Sequence, residues 1–219
     1  MIALALDGAL GTFSVAVSRS DGESAEWMTA PNRALEEGLA IVGQALQAQQ
    51  LAPSQLDCIA SGVGPGSFTG TRIAVSYAKS LAQAWSLPLC GVSSFDALEA
   101  AAKPDPAEPL LTVVRGRPGV VSVRLIAGGS QRRASGTPRQ IFDALGPHLN
   151  LPSLQMAGDA EDVLAEAGER GLHVRVLNRS LESAATAIAR IALRRAPLGS
   201  IHELRADYGE LPPTRAPGP

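Results

Sequence analysis

Hydrophobic positions along the chain follow two periods in turn. Ile2–Leu6 (IALAL) is an unbroken apolar run and predicts a buried strand, with Asp7 to Gly11 as the turn after it. Phe13, Val15 and Val17 then alternate with Ser14, Ala16 and Ser18, which predicts a half-buried strand, and Asp21-Gly22 turns the chain into a third strand at Ala25–Thr29. The period then becomes helical. Leu35, Leu39, Val42 and Leu46 share one stripe, Ile41 and Ala45 lie off it, Asn32 is the expected N-cap, and Glu36 and Glu37 sit near the positive end. After Pro53 and Ser54, CIASGV (Cys58–Val63) predicts a strand. It leads into a helix with a bulky seam, Ile73, Tyr77, Leu81 and Trp85, beside a small-residue row, Ala74, Ala78 and Ala82. That row predicts close approach of another helix, and Val75 adds apolar surface off the main seam. LPLCGV is a fifth strand, and Ser94 is expected to cap a short helix through Ala102.

The order then recurs. LLTVV and VVSVRLI predict strands, and Gly128-Gly129 turns into a third. Thr137-Pro138 opens a helix with proline at its first position, SLQMA is a strand, Ala160–Arg170 a helix, HVRVL a strand, and Ser180 caps a last helix to about Arg195. Each half therefore reads βββαβαβα, an internal duplication in an α/β protein. Lys103–Pro109 (KPDPAEP) cannot be regular structure and divides the chain into 1–103 and 104–219, with a disordered tail from about residue 210.

Composition fits a folded chain: 45% of the 219 residues are hydrophobic, 18% charged and only 4% aromatic, so the core is built from Ala, Val, Leu and Ile. No apolar run approaches the roughly 18 residues of a membrane span, and MIALALDG lacks the basic start of a signal peptide, so a cytoplasmic protein without membrane association is expected. Cys58 and Cys90 sit in strand-like runs and read as inert core thiols. The net charge of −2 is uneven: residues 1–108 carry 5 basic and 11 acidic side chains, whereas residues 109–219 carry 14 and 10. Between Pro109 and Phe142 every charged residue is an arginine, Arg132 and Arg133 among them, which suits either an anionic partner or a solvated surface.

The candidate chemistry lies in GVGPGSFTGTRIAVSYAKSLA (Gly62–Ala82), between a strand and a helix. It is neither a P-loop, since no Gly-Lys-Ser/Thr follows, nor a G-x-G-x-x-G fingerprint. Gly64, Gly66 and Gly70 with the hydroxyls of Ser67 and Thr69 suit an anion at the helix N-terminus, or else only a tight turn; Arg72 lies just inside the helix. Asp7, Gly8 and Thr12, at the end of the first strand and in the following turn, belong to the same expected sheet edge. There Asp7 is either a carboxylate beside a metal-bound phosphate or a turn residue. His148, His173 and His202 form no local metal motif, no C-x-x-C occurs, and no serine occupies a G-x-S-x-G elbow; neither a catalytic residue nor a metal site is legible.

The duplicated order, the early LALDG, GPGSFTGTRI and GVSSFDAL (Gly91–Leu98) together resemble the TsaB (YeaZ) family, most strongly over residues 1–95. The resemblance implies an actin-like ATPase (ASKHA, ribonuclease H-like) fold. It implies a non-catalytic cytoplasmic subunit that supports threonylcarbamoylation of tRNA adenosine 37 beside a larger TsaD-like transferase. It also implies a TsaE-like ATPase partner, a homodimer in isolation, tRNA reached through the complex, and no required cofactor, the complex interface being a place where ATP or ADP could bind. Dimerisation would use Ala34–Gln49 and Gly70–Trp85, with Leu39, Val42, Leu46, Phe68, Arg72, Ala74, Val75, Ala78 and Ala82 as interface residues. The sequence departs from the family at Val114–Arg117, where Arg115 stands in for an expected carboxylate near the interdomain cleft, and at Ala34-Leu35, in place of His-Ser. The alternative is an ATP-dependent phosphotransferase or ATPase of the same superfold, which needs carboxylates from both halves; a metalloprotease would need metal ligands the sequence lacks.

Overall fold

Strand β1 (Ile2–Asp7) is the middle strand of the first of two five-stranded sheets. It is followed by β2 (Ser14–Arg19), β3 (Ser24–Met28), α1 (Ala34–Ala48), β4 (Cys58–Gly62), α2 (Phe68–Trp85), β5 (Leu89–Val92) and α3 (Ser94–Ala102). The second half repeats the order with β6 (Leu110–Arg115), β7 (Val121–Ala127), β8 (Ser130–Gly136), α4 (Pro138–Leu145), β9 (Leu154–Ala157), α5 (Glu161–Glu169), β10 (Val174–Asn178) and α6 (Ala184–Ala192). The protein is described here from a computed structural model that covers residues 1–149, 153–159, 161–178, 181 and 183–209; the expected Ser180 cap, the expected helix start at Ala160 and the tail from residue 210 lie outside them.

The sheet orders, β3-β2-β1-β4-β5 and β8-β7-β6-β9-β10, are the same arrangement twice, with antiparallel hairpins on one side and parallel strands on the other. The duplication read from the sequence is thus present in three dimensions. Successive side chains of β1 point to opposite faces. Leu4 and Leu6 join Val15, Val17 and Ile59 under α1 and α2, while Ala3 and Ala5 join Ala60 under the alanine-rich α6.

The last helix of each half crosses to the other half. Phe95 and Leu98 of α3 pack against Val114 on the second sheet, and Ile188, Ala189 and Ala192 of α6 pack against Ala3 and Ala5 on the first. Small residues on both surfaces allow that close seating. Each fully buried large aliphatic side chain contributes roughly 1.5–3 kcal/mol, so the exchange couples the halves through their cores.

Several local expectations change. The second strand is buried on both faces, because α6 covers the Ser14, Ala16 and Ser18 side that was expected to be solvated. In α1 the buried arc is Gly38, Ile41, Val42, Ala45 and Leu46, whereas Leu35 and Leu39 are exposed; at 100° per residue this arc is rotated by roughly 60° from the leucine line. Ile41 and Ala45 are therefore core residues. The row Ala74, Ala78 and Ala82 lies against the chain's own first sheet and is closed to another helix. The two helices meet instead where Gly38 makes room for the Tyr77 ring, whose hydroxyl donates to the Leu35 carbonyl at 2.9 Å. Asn32 does not cap α1: it has φ +62°, Arg33 occupies the cap position, and the Glu37 carboxylate accepts from the Ala30 N–H at 3.0 Å. Ser93, one residue before the expected Ser94, caps α3 by accepting from the Asp96 N–H at 3.1 Å.

Candidate functional site

The loop Val63–Gly70 owes its glycines to other backbone strands. At Gly64 (φ +90°) a Cβ would strike the Asp207 carbonyl, and at Gly66 (φ +150°) it would strike the Ala9 carbonyl. Gly8 and Gly70 touch backbone to backbone, so neither has room for a side chain. The Asp207 N–H donates to the Val63 carbonyl at 2.6 Å and the Ser67 N–H to the Ala9 carbonyl at 2.9 Å, which clamps the loop between the β1–β2 turn and the C-terminal segment. Ser67 caps α2: its Oγ accepts from the Gly70 N–H at 3.2 Å, and the Thr71 hydroxyl donates to its carbonyl at 2.7 Å. One of the amides an anion would need is therefore already satisfied.

Of the eight residues expected to form a nucleotide or anion loop, Gly8, Thr12, Ser67, Thr69 and Gly70 line one cleft of about 490 Å³ between the N-termini of α1 and α2. Leu35 and Ile73 form part of its wall, and Glu36 supplies a carboxylate where a phosphate site would need a cation. Gly64 and Gly66 lie outside the lining, packed as described. Asp7 is fully buried. Its Oδ2 accepts from the Leu10 N–H at 3.0 Å, and its Oδ1 has no partner among the described residues. Burial pushes its carboxyl up to about 6 against the pull of amide hydrogen bonds from the following turn.

A second cleft, of about 310 Å³, opens between the halves and is lined by Leu10, Gly11 and Ser67 on one side and Val114, Arg115 and Asp159 on the other. Arg115 does stand at this cleft, and it pairs with Asp159 at 3.3 Å and Asp162 at 3.1 Å.

The residues expected at a partner interface separate into two groups. Leu39, Phe68 and Arg72 are exposed, with the Arg72 guanidinium 5.1 Å from the centre of the Phe68 ring and Phe68 stacked on Tyr208 at 4.7 Å. Val42, Leu46, Ala74, Val75, Ala78 and Ala82 are buried in the chain's own core, because the first sheet lies under them.

The arginine-only stretch is in large part neutralised by carboxylates from elsewhere. Arg124, whose side chain is only 6% exposed, donates to Asp96 at 2.7 Å and to Glu99 at 2.8 Å, both on α3. Arg195, beyond α6, reaches Asp96 at 2.8 Å, and the Thr112 hydroxyl donates to Glu99 at 2.6 Å. Burial raises the Asp96 carboxyl, but hydrogen bonds from Arg195 and Arg124 outweigh it, so the group stays below its usual range. Sequence reasoning missed this cluster. Its signal is the i, i+3 pair Asp96 and Glu99 on an otherwise apolar helix. Arg133 pairs with Asp207 at 3.1 Å and lies over Phe95, while Arg132 is exposed on β8.

A duplicated sheet with exchanged terminal helices, and clefts at the ends of the first strand of each half, defines an actin-like α/β protein. A Bacteroides thetaiotaomicron protein described as having an actin-like ATPase fold matches with a TM-score of 0.55 at 9% identity over 89% of this chain and 96% of that one. YeaZ from Pseudomonas aeruginosa matches with a TM-score of 0.67 at 24% identity over 94% of this chain and 99% of that one. Residues 30–194 match the family described as TsaD, tRNA N6-adenosine threonylcarbamoyltransferase. The chain belongs to that family and, within it, to the TsaB (YeaZ) group. TsaB of Bacillus subtilis, a tRNA threonylcarbamoyladenosine biosynthesis protein, is 36% identical over 102 residues, which are 46% of this chain and 44% of that one. The match thus spans less than half the length of that curated relative. Among the described residues no helix is long and apolar enough to cross a membrane.

Proposed function

We propose that the chain is a non-catalytic subunit of the assembly that places threonylcarbamoyl on adenosine 37 of tRNA. It pairs with a TsaD-like transferase, and with a second copy of itself when alone, through the outer faces of α1 and α2. A TsaE-like ATPase joins that pair in the cytoplasm, and the ATP or ADP of the assembly lies at the interface between subunits. The observation that carries this reading is the large apolar side chains left uncovered on these helices: Leu35 and Leu39 are 68% and 51% exposed, and Phe68 is 55% exposed. Phe68 with its stacked Tyr208 and Arg72 gives the aromatic-and-arginine composition favoured at interface centres. The burial of Asp7 and the presence of Glu36 in the cleft beside Ser67 favour assembly over phosphate chemistry in this chain.

Sedimentation of the chain with and without its transferase paralogue tests the reading. Leu39→Arg should keep the native circular dichroism spectrum and weaken both associations at least tenfold. A folded Leu39→Arg that binds the paralogue with unchanged affinity overturns the interface.

A further inference from the structure

A groove of about 640 Å³ runs between α3 and α6, on the opposite side of the first sheet from α1 and α2. Its lining includes four exposed cations, Lys103, Arg190, Arg194 and Arg195, and, among the described residues, no carboxylate. Lys103 stands on the α3 side; Arg190 and Arg194 stand on the α6 side, four residues apart. Arg195 is spent on Asp96 and the Gly91 carbonyl, and among the described residues Arg190 meets only the neutral Ser24 hydroxyl at 3.3 Å. Among the described residues Lys103 and Arg194 have no acidic partner. The lining beside these cations includes the apolar side chains of Ala100, Ala187 and Ile191.

We propose that this groove binds the phosphate backbone of RNA. Three cations without an acidic partner among the described residues stand around one concavity, and a polyanion relieves their mutual repulsion while releasing its counterions. Arginine and lysine on opposing walls can hold successive phosphates, and the groove volume of about 640 Å³ leaves space for sugar. The groove stays open when a partner covers α1 and α2, because the first sheet separates the two surfaces. The phosphate chemistry follows from the groove itself; the choice of RNA over a free nucleotide rests on the tRNA reading above.

The test uses the full chain and the variant Lys103→Gln/Arg194→Gln, which spares Arg190 and Arg195 and their structural contacts. Anisotropy of labelled tRNA is measured between 50 and 300 mM salt, with ATP and inorganic phosphate titrated by calorimetry in parallel arms. The expected result is an affinity for tRNA at least tenfold lower in the variant at 100 mM salt, and a slope of log affinity against log salt shallower by about 1.5–2. Wild-type protein that binds no tRNA, or a folded variant with unchanged tRNA affinity and slope, overturns the proposal. So does a variant that loses ATP or phosphate binding while keeping tRNA, which would make the groove a site for small phosphates. Co-sedimentation with the transferase paralogue, read on the same samples, should be unaffected by the double variant; its failure in wild type sinks the assembly reading and leaves the groove result standing.

Discussion

The Asp7 carboxylate occupies the space beside the Gly62 Cα: a methyl group at position 62 would collide with Asp7 Oδ1, the buried oxygen that has no hydrogen-bond partner among the described residues. A buried carboxyl raised from 3.8 to about 6 binds its proton more tightly in the folded state than in the unfolded chain. Between those two values the folded protein therefore holds more protons, and stability falls as pH rises through the window. The full effect is about 3 kcal/mol, present above pH 6 as a penalty and absent below pH 4. Urea titrations at pH 4.5, 5.5 and 7 should show this fall in wild type and its loss in Asp7→Asn. Parallel pH profiles for the two proteins would show that Asp7 does not titrate in that range.

Gly70 lies within the first turn of α2, where alanine normally gains roughly 1 kcal/mol over glycine. Here the sign should reverse. A Cβ at position 70 would run into the Gly8 carbonyl and crowd Ser67 Oγ, so the two loops would have to part. Gly70→Ala is expected to destabilise by about 1–3 kcal/mol, as overpacking of a close contact does. A variant as stable as wild type in urea would mean the loops separate without cost.

Arg124 joins the halves from inside. Removing one partner of a buried ion pair leaves the other charge without compensation, which costs about 3–5 kcal/mol. Arg124→Met should therefore lose stability on that scale, since it strands Glu99 and deprives Asp96 of one of its two arginines. Adding Glu99→Gln should return part of the loss, even though Thr112 then keeps only a neutral acceptor. No recovery in the double variant would mean that packing against Phe95 explains the effect instead of charge.

The order of elements was legible because period and turn chemistry report it locally: IALAL, the Asp21-Gly22 turn and Thr137-Pro138 each appear where the sequence puts them. What could not be read was which surface each stripe faces. The leucine line of α1 and the alanine row of α2 are both regular at helical spacing, and only the seating of these helices on the first sheet decides what is covered. The exchange of α3 and α6 between the halves buried Ser14 and Ser18 and placed Asp96 and Glu99 against Arg124, although the partners are separated by 28 and 25 residues along the chain. The glycine-rich loop was legible as a strand–helix turn. That its glycines face the carbonyls of Ala9 and Asp207 depends on segments remote in sequence.

Ala78 decides between the two uses of the small-residue row. Had the row faced a partner helix, a large side chain there would separate subunits and leave each one folded. Ala78 has no solvent exposure and lies among Leu4, Val15 and Ile59, with Ala74 and Ala82 packed equally closely above and below. Ala78→Trp then forces an indole between α2 and its own sheet. A core packed at crystal-like density has no space for it, and overpacking costs at least 1–3 kcal/mol for smaller insertions than this one. The helix would have to lift from the sheet, exposing Val75 and breaking the Gly38–Tyr77 contact with α1. The expected outcome is a variant with a lower melting temperature and a lost cooperative transition by circular dichroism, whatever its oligomeric state. Leu39→Arg, on the exposed side of α1, should show the opposite pair of results, an unchanged melting curve and a smaller sedimentation coefficient. A folded, monomeric Ala78→Trp would return the alanine row to the subunit interface.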